Sequence, residues 1–293
     1  MLLKEIKRIF HKELEGIYPK EEVNSFFYIL IEHYLNIARF ILLLDPELNI
    51  SKREEQPLFE GLSKLKLETP IQYITGETSF MDLTFAVNEH VLIPRPETEE
   101  LVQWVISQYS DKHGKNSDLK ILDIGTGSGC IGVTLAKHFP NAGVYALDFS
   151  KKALKIARMN AKRNGVMLGF ILADLFEIGE LDTIFDIIVS NPPYVRELEK
   201  SQMQKNVLEY EPPEALFVRD DAPLVFYEKI AQLAVRNLKN GGTLFLEINQ
   251  YLGEETKEVL ARNGFVELEI KKDFFGNFRM LKGNWTTEIK DVG

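Results

Sequence analysis

Ile121-Leu122-Asp123-Ile124-Gly125-Thr126-Gly127-Ser128-Gly129 is the stretch that decides the fold of this 293-residue chain. The first four residues read as a short buried strand. The glycines that follow read as a turn of positive φ, where a ligand can approach the backbone. A helix starts near Cys130, so the unit is strand, glycine loop and helix, at the carboxyl edge of a parallel sheet. Outward from it the same alternation continues: Lys120–Ile124, Val133–His138, Gly143–Leu147, Lys151–Asn164, Met167–Ile171, Phe185–Ser190, Pro223–Leu238, Thr243–Ile248, Leu252–Asn263 and Phe265–Lys271. This pattern predicts an α/β architecture, a mostly parallel sheet with helices on both faces. Only Lys272–Asn277 joins the last two strands, too little for a crossover helix, so the terminal strand should run antiparallel.

Upstream the character changes twice. Residues 1–66 read as a helical bundle. Glu22–Leu44 carries Val23, Phe26, Phe27, Leu30, Ile31, Tyr34, Ile37 and Ile41 at i, i+3, i+4 spacing, one apolar face ended by Asp45-Pro46. Ser51-Lys52-Arg53-Glu54 has the form of a capping box, although Pro57 argues for a later start. Residues 67–117 read as a β-hairpin linker, with strands over Thr78–Phe85 and Phe85–Ile93. Pro94 and Pro96 stop the second strand, and Pro96 suits the first turn of a helix reaching about Tyr109. A polar loop, Asp111–Asp118, closes the linker, and residues 118–293 are read as one α/β domain.

The glycine spacing narrows the ligand. A dinucleotide fingerprint, G-x-G-x-x-G/A, requires glycine or alanine where Cys130 stands. Gly125, Thr126, Gly127, Ser128 and Gly129 instead form G-x-G-x-G, two residues after Asp123. A ligand joining an amino acid to a nucleoside fits better than a pyrophosphate. Asp148, at the end of the second strand, can accept both ribose hydroxyls of NAD or S-adenosylmethionine alike, or cap the next helix. Asp174 can take the exocyclic amine of adenine, with Leu175 packed on the ring. Cys130 reads as a small helix-packing residue.

The strongest chemical signal is Asn191-Pro192-Pro193-Tyr194, which follows the apolar strand Asp186–Ser190 and so sits at the same sheet edge. Two prolines fix the backbone and leave carbonyl oxygens free. An amide or aryl-amine nitrogen has a delocalised lone pair and attacks a methyl group poorly. The Asn191 side-chain oxygen and the Pro192 carbonyl can accept its two hydrogens and aim the lone pair at a sulfonium, while Tyr194 stacks on the planar acceptor. Asn191 would also touch the methyl donor. A sulfonium is already a strong leaving group, so no metal is required.

Composition bounds the rest. Hydrophobic residues make up 45% and charged residues 27%, an ordinary balance for a globular chain. The longest apolar run, Phe26–Ile31, is far short of the roughly 20 residues of a membrane span. A single cysteine excludes an internal disulfide and a thiolate zinc cluster. No secretory signal opens the chain, so the expected compartment is the cytoplasm. The net charge of −9 argues against stable nucleic-acid binding. The run Lys151, Lys152, Lys155, Arg158, Lys162 and Arg163 reads as a solvated helix face. A monomer is expected.

Taken together these residues resemble the release-factor glutamine methyltransferases. The resemblance covers nearly the whole chain: the helical N-terminal region, Pro70–Gly76, Ile93-Pro94-Arg95-Pro96-Glu97-Thr98-Glu99, Asp123–Gly129, Asp148, Asn191–Tyr194 and Glu211-Pro212-Pro213-Glu214-Ala215-Leu216. The tetrapeptide alone is shared with adenine-N6 methyltransferases of nucleic acid, which remain the alternative. The resemblance implies a Rossmann-like methyltransferase sheet with an N-terminal bundle that docks the substrate. It implies S-adenosylmethionine held by Gly125–Gly129, Asp148 and the Leu175 region, and S-adenosylhomocysteine as product. It places the glutamine of a release factor's Gly-Gly-Gln loop against Asn191, Pro192, Pro193 and Tyr194, with Pro94, Arg95 and Glu97 lining the site. Two departures stand out: Phe217–Pro223 replaces a glycine-containing loop, and Leu175 replaces an aromatic residue.

Overall fold

The computed structural model describes residues 1–113 and 118–287. The elements are α1 (Leu3–Leu14), α2 (Lys20–Leu35), α3 (Ile41–Leu44), α4 (Lys52–Leu65), α5 (Ile71–Thr75), β1 (Glu77–Phe80), β2 (Leu83–Ala86), α6 (Pro96–His113), β3 (Lys120–Ile124), α7 (Cys130–His138) and β4 (Gly143–Asp148). They continue with α8 (Lys151–Arg163), β5 (Gly169–Leu172), β6 (Phe185–Ser190), β7 (Val195–Arg196), α9 (Lys205–Tyr210), β8 (Phe217–Val218), α10 (Val225–Asn237), β9 (Leu238–Glu247), α11 (Gly253–Arg262), β10 (Phe265–Lys272) and β11 (Phe278–Trp285).

The chain divides into two compact units, and the division differs from the expected boundaries. One unit is Met1–Gly76 together with Gln204–Tyr210; the other holds the chain from Glu77 onward apart from that segment. Residues 71–75 are helical rather than part of a hairpin linker, and Ile71 and Ile74 lie in the same core as Leu3, Phe10, Phe27 and Leu62. The distant segment joins that unit through Lys205, 3.1 Å from Glu68, and the Tyr210 hydroxyl, which donates to the Leu67 carbonyl at 2.6 Å.

Two details of the bundle correct the sequence reading. The single helix expected over Glu22–Leu44 breaks after Leu35, because Asn36 takes a left-handed conformation (φ 53°) and closes the turn on the Ile31 and Glu32 carbonyls. Ile37 and Ile41 still pack on the core beyond the break, which is why the periodicity runs on. Pro57 does not delay α4: Ser51 and Glu54 form a complete reciprocal cap, and the helix starts at Lys52.

In the larger unit, the hairpin β1–β2 is shorter than expected. Its two-residue turn, Met81-Asp82, has φ of 47° and 60°, the handedness a tight hairpin needs, and pairs Phe80 with Leu83. No strand covers 87–93. The hairpin and α6 belong to the sheet unit rather than to a linker. Phe80, Phe85, Leu101, Trp104 and Val105 are buried with Ile121, Val133 and Phe245. Of the polar loop expected over 111–118, residues 111–113 instead continue α6, which runs past the expected end near Tyr109, and 114–117 lie outside the described residues.

The sheet order is β10-β11-β9-β6-β3-β4-β5, parallel except that β11 runs antiparallel between β9 and β10, as the short last connection requires. Alternate residues feed two cores. Ile121, Ile187, Val189 and Phe245 face α6 and α7; Leu122, Ile188, Leu244 and Leu246 face α10 and α11. The basic residues of α8 are all exposed. Strand order reverses between β3 and β6, whose last residues Ile124 and Ser190 are register partners. The Ser190 hydroxyl locks that switch point by donating to the Ile124 carbonyl at 2.8 Å. The glycine loop after β3 and the Asn-Pro-Pro-Tyr segment after β6 therefore emerge side by side, where ligands bind such sheets. Among the described residues no helix is long and apolar enough to cross a membrane.

Candidate active site

A cavity of roughly 650 Å³ opens at this edge of the sheet. Gly125, Thr126, Gly127 and Ser128 line one side; Asn191, Pro192 and Pro193 line another; Asp148, Asp174 and Leu175 also border it. Pro94 and Arg95 line it too. Three of the expected site residues, Gly129, Tyr194 and Glu97, are not among the lining residues.

The glycine loop is folded by short-range bonds. Gly125 and Thr126 donate their N–H groups to the Leu147 carbonyl at 2.8 and 3.0 Å. Asp123 lies wholly buried beneath them; its Oδ2 accepts from the Thr126 hydroxyl at 2.6 Å and from the Gly132 N–H at 3.0 Å. Gly127 has φ of +54° and donates to Asp148 Oδ2 at 2.9 Å, with nothing nearer than 4.0 Å to a Cβ built on it. Gly129 serves packing instead: at φ +83° a Cβ there would meet the Ala157 Cβ at 3.1 Å. Asn160 of α8, buried, ties the loop to the hairpin. Its amide donates to the Ser128 and Ala86 carbonyls at 2.8 and 3.0 Å and accepts the Ala86 N–H at 2.7 Å.

Asp148 is nearly buried, and its Oδ1 also accepts the Ser150 N–H at 2.9 Å. Burial raises its pKa, against backbone hydrogen bonds that lower it. Ser150, not Asp148, caps α8, through its hydroxyl and the Ala153 N–H. Asp174 Oδ1 accepts the Phe176 N–H at 2.8 Å, which turns Phe176 into the cavity wall. Two aromatics that sequence reasoning missed, Phe149 (60% exposed) and Phe176 (42% exposed), thus flank the part of the cavity near Asp148 and Leu175. Each immediately follows a residue singled out in the sequence, and that adjacency was the available signal.

The acceptor side is held by residues far away in the chain. Asn191 Nδ2 donates to the Thr98 hydroxyl oxygen at 3.0 Å, and Thr98 donates to Glu247 Oε2 at 2.7 Å. Tyr194 does not stack over the main cavity. Its hydroxyl donates to Glu247 Oε1 at 2.9 Å, its carbonyl accepts from Asn249 at 2.9 Å, and it borders a separate cavity of about 220 Å³. Arg279 reaches the Tyr194 hydroxyl at 3.4 Å and is itself held by Asp273 at 3.1 Å. Burial raises the Glu247 carboxyl, opposed by the Thr98 and Tyr194 hydrogen bonds and by Arg279. Burial also pushes the Tyr194 hydroxyl well up, so it stays a donor. Glu97 sits in the first turn of α6, near enough to Glu247 to raise it further. Arg95 pairs at 2.5 Å with Glu211, whose other oxygen accepts the Ile93 N–H at 3.1 Å. Sequence reasoning missed Thr98, Glu247 and Arg279; a lone carboxylate ending the apolar strand Leu244-Phe245-Leu246 was the one visible signal.

The Phe217–Pro223 loop is ordered without the glycine. Phe217 and Val218 pair with Val195 and Arg196, and Asp220 accepts the Leu198 N–H at 3.1 Å.

A methyltransferase small domain model matches residues 107–216, and a PrmC N-terminal domain model matches residues 8–76. A release factor glutamine methyltransferase of Flavobacterium psychrophilum is 51% identical over 285 residues, 97% of this chain and 100% of the relative. One from Bacteroides thetaiotaomicron is 39% identical, covering 95% and 99%. A methyltransferase structure from Pyrococcus furiosus, 17% identical with a TM-score of 0.50 over 80% of this chain and all of that one, shares the fold. By its match along nearly the full length of such relatives, the chain belongs to the release factor glutamine methyltransferase family and is an S-adenosylmethionine-dependent methyltransferase.

Proposed function

We propose that this enzyme methylates the side-chain amide of the glutamine in the Gly-Gly-Gln motif of peptide chain release factors, with the cofactor along Gly125–Ser128 and the glutamine against Asn191–Pro193. The observation that carries the reading is the Asn191 carboxamide. Its Nδ2 is engaged by Thr98, and its Oδ1 takes no hydrogen bond from the described residues, at a position that lines the cavity. An acceptor held there suits a substrate that brings N–H donors.

The loop fits the cofactor. Gly125 and Gly127 lie at positive φ with open space where side chains would stand, and the Asp148 carboxylate borders the same cavity. Phe149 and Phe176 supply apolar faces for adenine, in place of an aromatic at position 175. Bound S-adenosylmethionine supplies a methyl group on a sulfonium, a good leaving group. The protein's task is then positioning. Asn191 Oδ1 and the Pro192 carbonyl accept the amide hydrogens and aim the nitrogen lone pair at the methyl carbon. Tyr194 contributes by holding Glu247 rather than by stacking, and Arg95 and Pro94 shape the rim. The helical unit is the part of the chain left to hold the release factor outside the cavity.

The test is to incubate the enzyme with methyl-labelled S-adenosylmethionine and either a release factor or duplex DNA. Label in the Gly-Gly-Gln peptide after digestion is the expected result. Label confined to DNA would sink the reading in favour of an adenine methyltransferase.

A further inference from the structure

A carboxamide has an acceptor end and a donor end of nearly the same shape. Which end of Asn191 meets the substrate decides what the cavity accepts. We propose that Thr98 and Glu247 fix the polarity of the Asn191 carboxamide, so that the site takes a carboxamide and rejects the matching carboxylate. The inference rests on the glutamine reading above and deepens it.

The argument is one of donors and acceptors. Glu247 ends β9 with 1% exposure, and both its oxygens accept: Oε2 from Thr98 at 2.7 Å, Oε1 from Tyr194 at 2.9 Å. With both oxygens accepting, Glu247 gives no hydrogen in this arrangement. The single hydroxyl hydrogen of Thr98 is therefore committed to Glu247, and its oxygen is left as an acceptor. Asn191 can meet that oxygen only with its NH2, at 3.0 Å, which turns Oδ1 to the cavity. The opposite orientation would set two oxygens against each other with no hydrogen between them, leaving both unsatisfied.

The other arm enforces the same direction. Arg279 donates to the Tyr194 hydroxyl, which leaves the tyrosine hydrogen for Glu247. Every hydrogen bond in the chain from Arg279 through Tyr194, and from Asn191 through Thr98, points toward Glu247. A glutamine side chain offers N–H groups to the oxygen this arrangement presents. A glutamate side chain offers none, and it brings a further negative charge toward the nearby carboxyl groups of Glu247 and Glu97. Thr98 and Glu247 are positioning residues, acting on substrate only through Asn191.

The experiment compares wild type, Thr98→Ser and Thr98→Val on a release factor carrying Gly-Gly-Gln, with the same protein carrying Gly-Gly-Glu as competitor. Thr98→Val should lower kcat on the order of a hundredfold while the cofactor Kd stays within about twofold. The Gly-Gly-Glu competitor should gain about tenfold in affinity relative to the glutamine protein, a change that a packing defect would not produce. Thr98→Ser, which keeps the hydroxyl, should restore both. Should Thr98→Val fold poorly by its melting temperature, Thr98→Ala carries the same expectation. Unchanged discrimination in a folded hydroxyl-free variant overturns the inference, whether or not kcat falls. No label in the wild-type control overturns the glutamine reading as well, so the two failures are told apart.

Discussion

The two walls of the cavity are built in opposite ways. The glycine-loop wall is local: Asp123 bonds residues three and nine positions away, and Gly127 meets Asp148 twenty-one positions on. The Asn-Pro-Pro-Tyr wall is assembled across the chain. Asn191 to Thr98 spans 93 residues, Thr98 to Glu247 spans 149, and Tyr194 to Arg279 spans 85. A local wall is a motif, and its defects should appear as lost cofactor affinity. A non-local wall depends on β9, β11 and α6 docking correctly, and its defects should appear in turnover.

The sharpest way to break that contrast is Asn191→Ala. It removes the cavity-facing acceptor without touching the glycine loop. Turnover should fall by about 10²–10³-fold, the usual loss when one preorganised polar group is removed from a reacting centre. The cofactor Kd, read by calorimetry, should change little. A large loss of cofactor affinity would mean that the two walls are not separable.

Next in size is Gly129→Ala, which tests whether the local wall also carries stability. The residue would be held at φ +83° with its Cβ 3.1 Å from Ala157. The expected cost is about 1–3 kcal/mol in denaturant unfolding. A neutral result would show that α8 can retreat. Smaller still is Asp148→Asn. The amide keeps an acceptor for the Gly127 or Ser150 N–H but loses the charge, and the cofactor Kd should weaken about tenfold with kcat at saturation nearly unchanged. A change confined to kcat would reverse the assignment of the walls.

The same contrast explains what could be read from the chain. Gly125, Thr126, Gly127, Ser128 and Asp148, which line the cavity, were visible because each stands at or just past the end of a strand, where spacing dictates geometry. Asn191 was visible for the same reason. Thr98 and Glu247 were not, since nothing in Pro-Glu-Thr-Glu or in Leu-Phe-Leu-Glu says that the two meet. Sheet order decides it: β9 beside β6 brings Glu247 under Tyr194, and the α6 terminus falls above it. Tyr194 was misplaced over the acceptor because the motif fixes the backbone, whereas the ring follows the distant carboxylate. The helix break at Asn36 escaped because apolar periodicity continues across it.

A last comparison, of stability against pH, concerns the carboxylate beneath the local wall. Asp123 Oδ2 takes both available hydrogen bonds, while Oδ1 is buried with no partner among the described residues. Burial pushes this carboxyl up to about 7, with the Thr126 and Gly132 hydrogen bonds pulling the other way. In the unfolded chain an aspartate titrates near 3.9. Between those two values the folded protein binds a proton that the unfolded chain does not. The contribution to stability is therefore fully present below about pH 4 and is lost as pH rises through about 7. Asp123→Asn keeps an acceptor for Thr126 and Gly132 but stays neutral throughout. Unfolding free energies of wild type and variant, compared at about pH 5 and about pH 8, should diverge in the variant's favour at the higher value. Parallel pH dependence would mean that Asp123 is already neutral, or already solvated, across this range, and that the loop above it is held at no electrostatic cost.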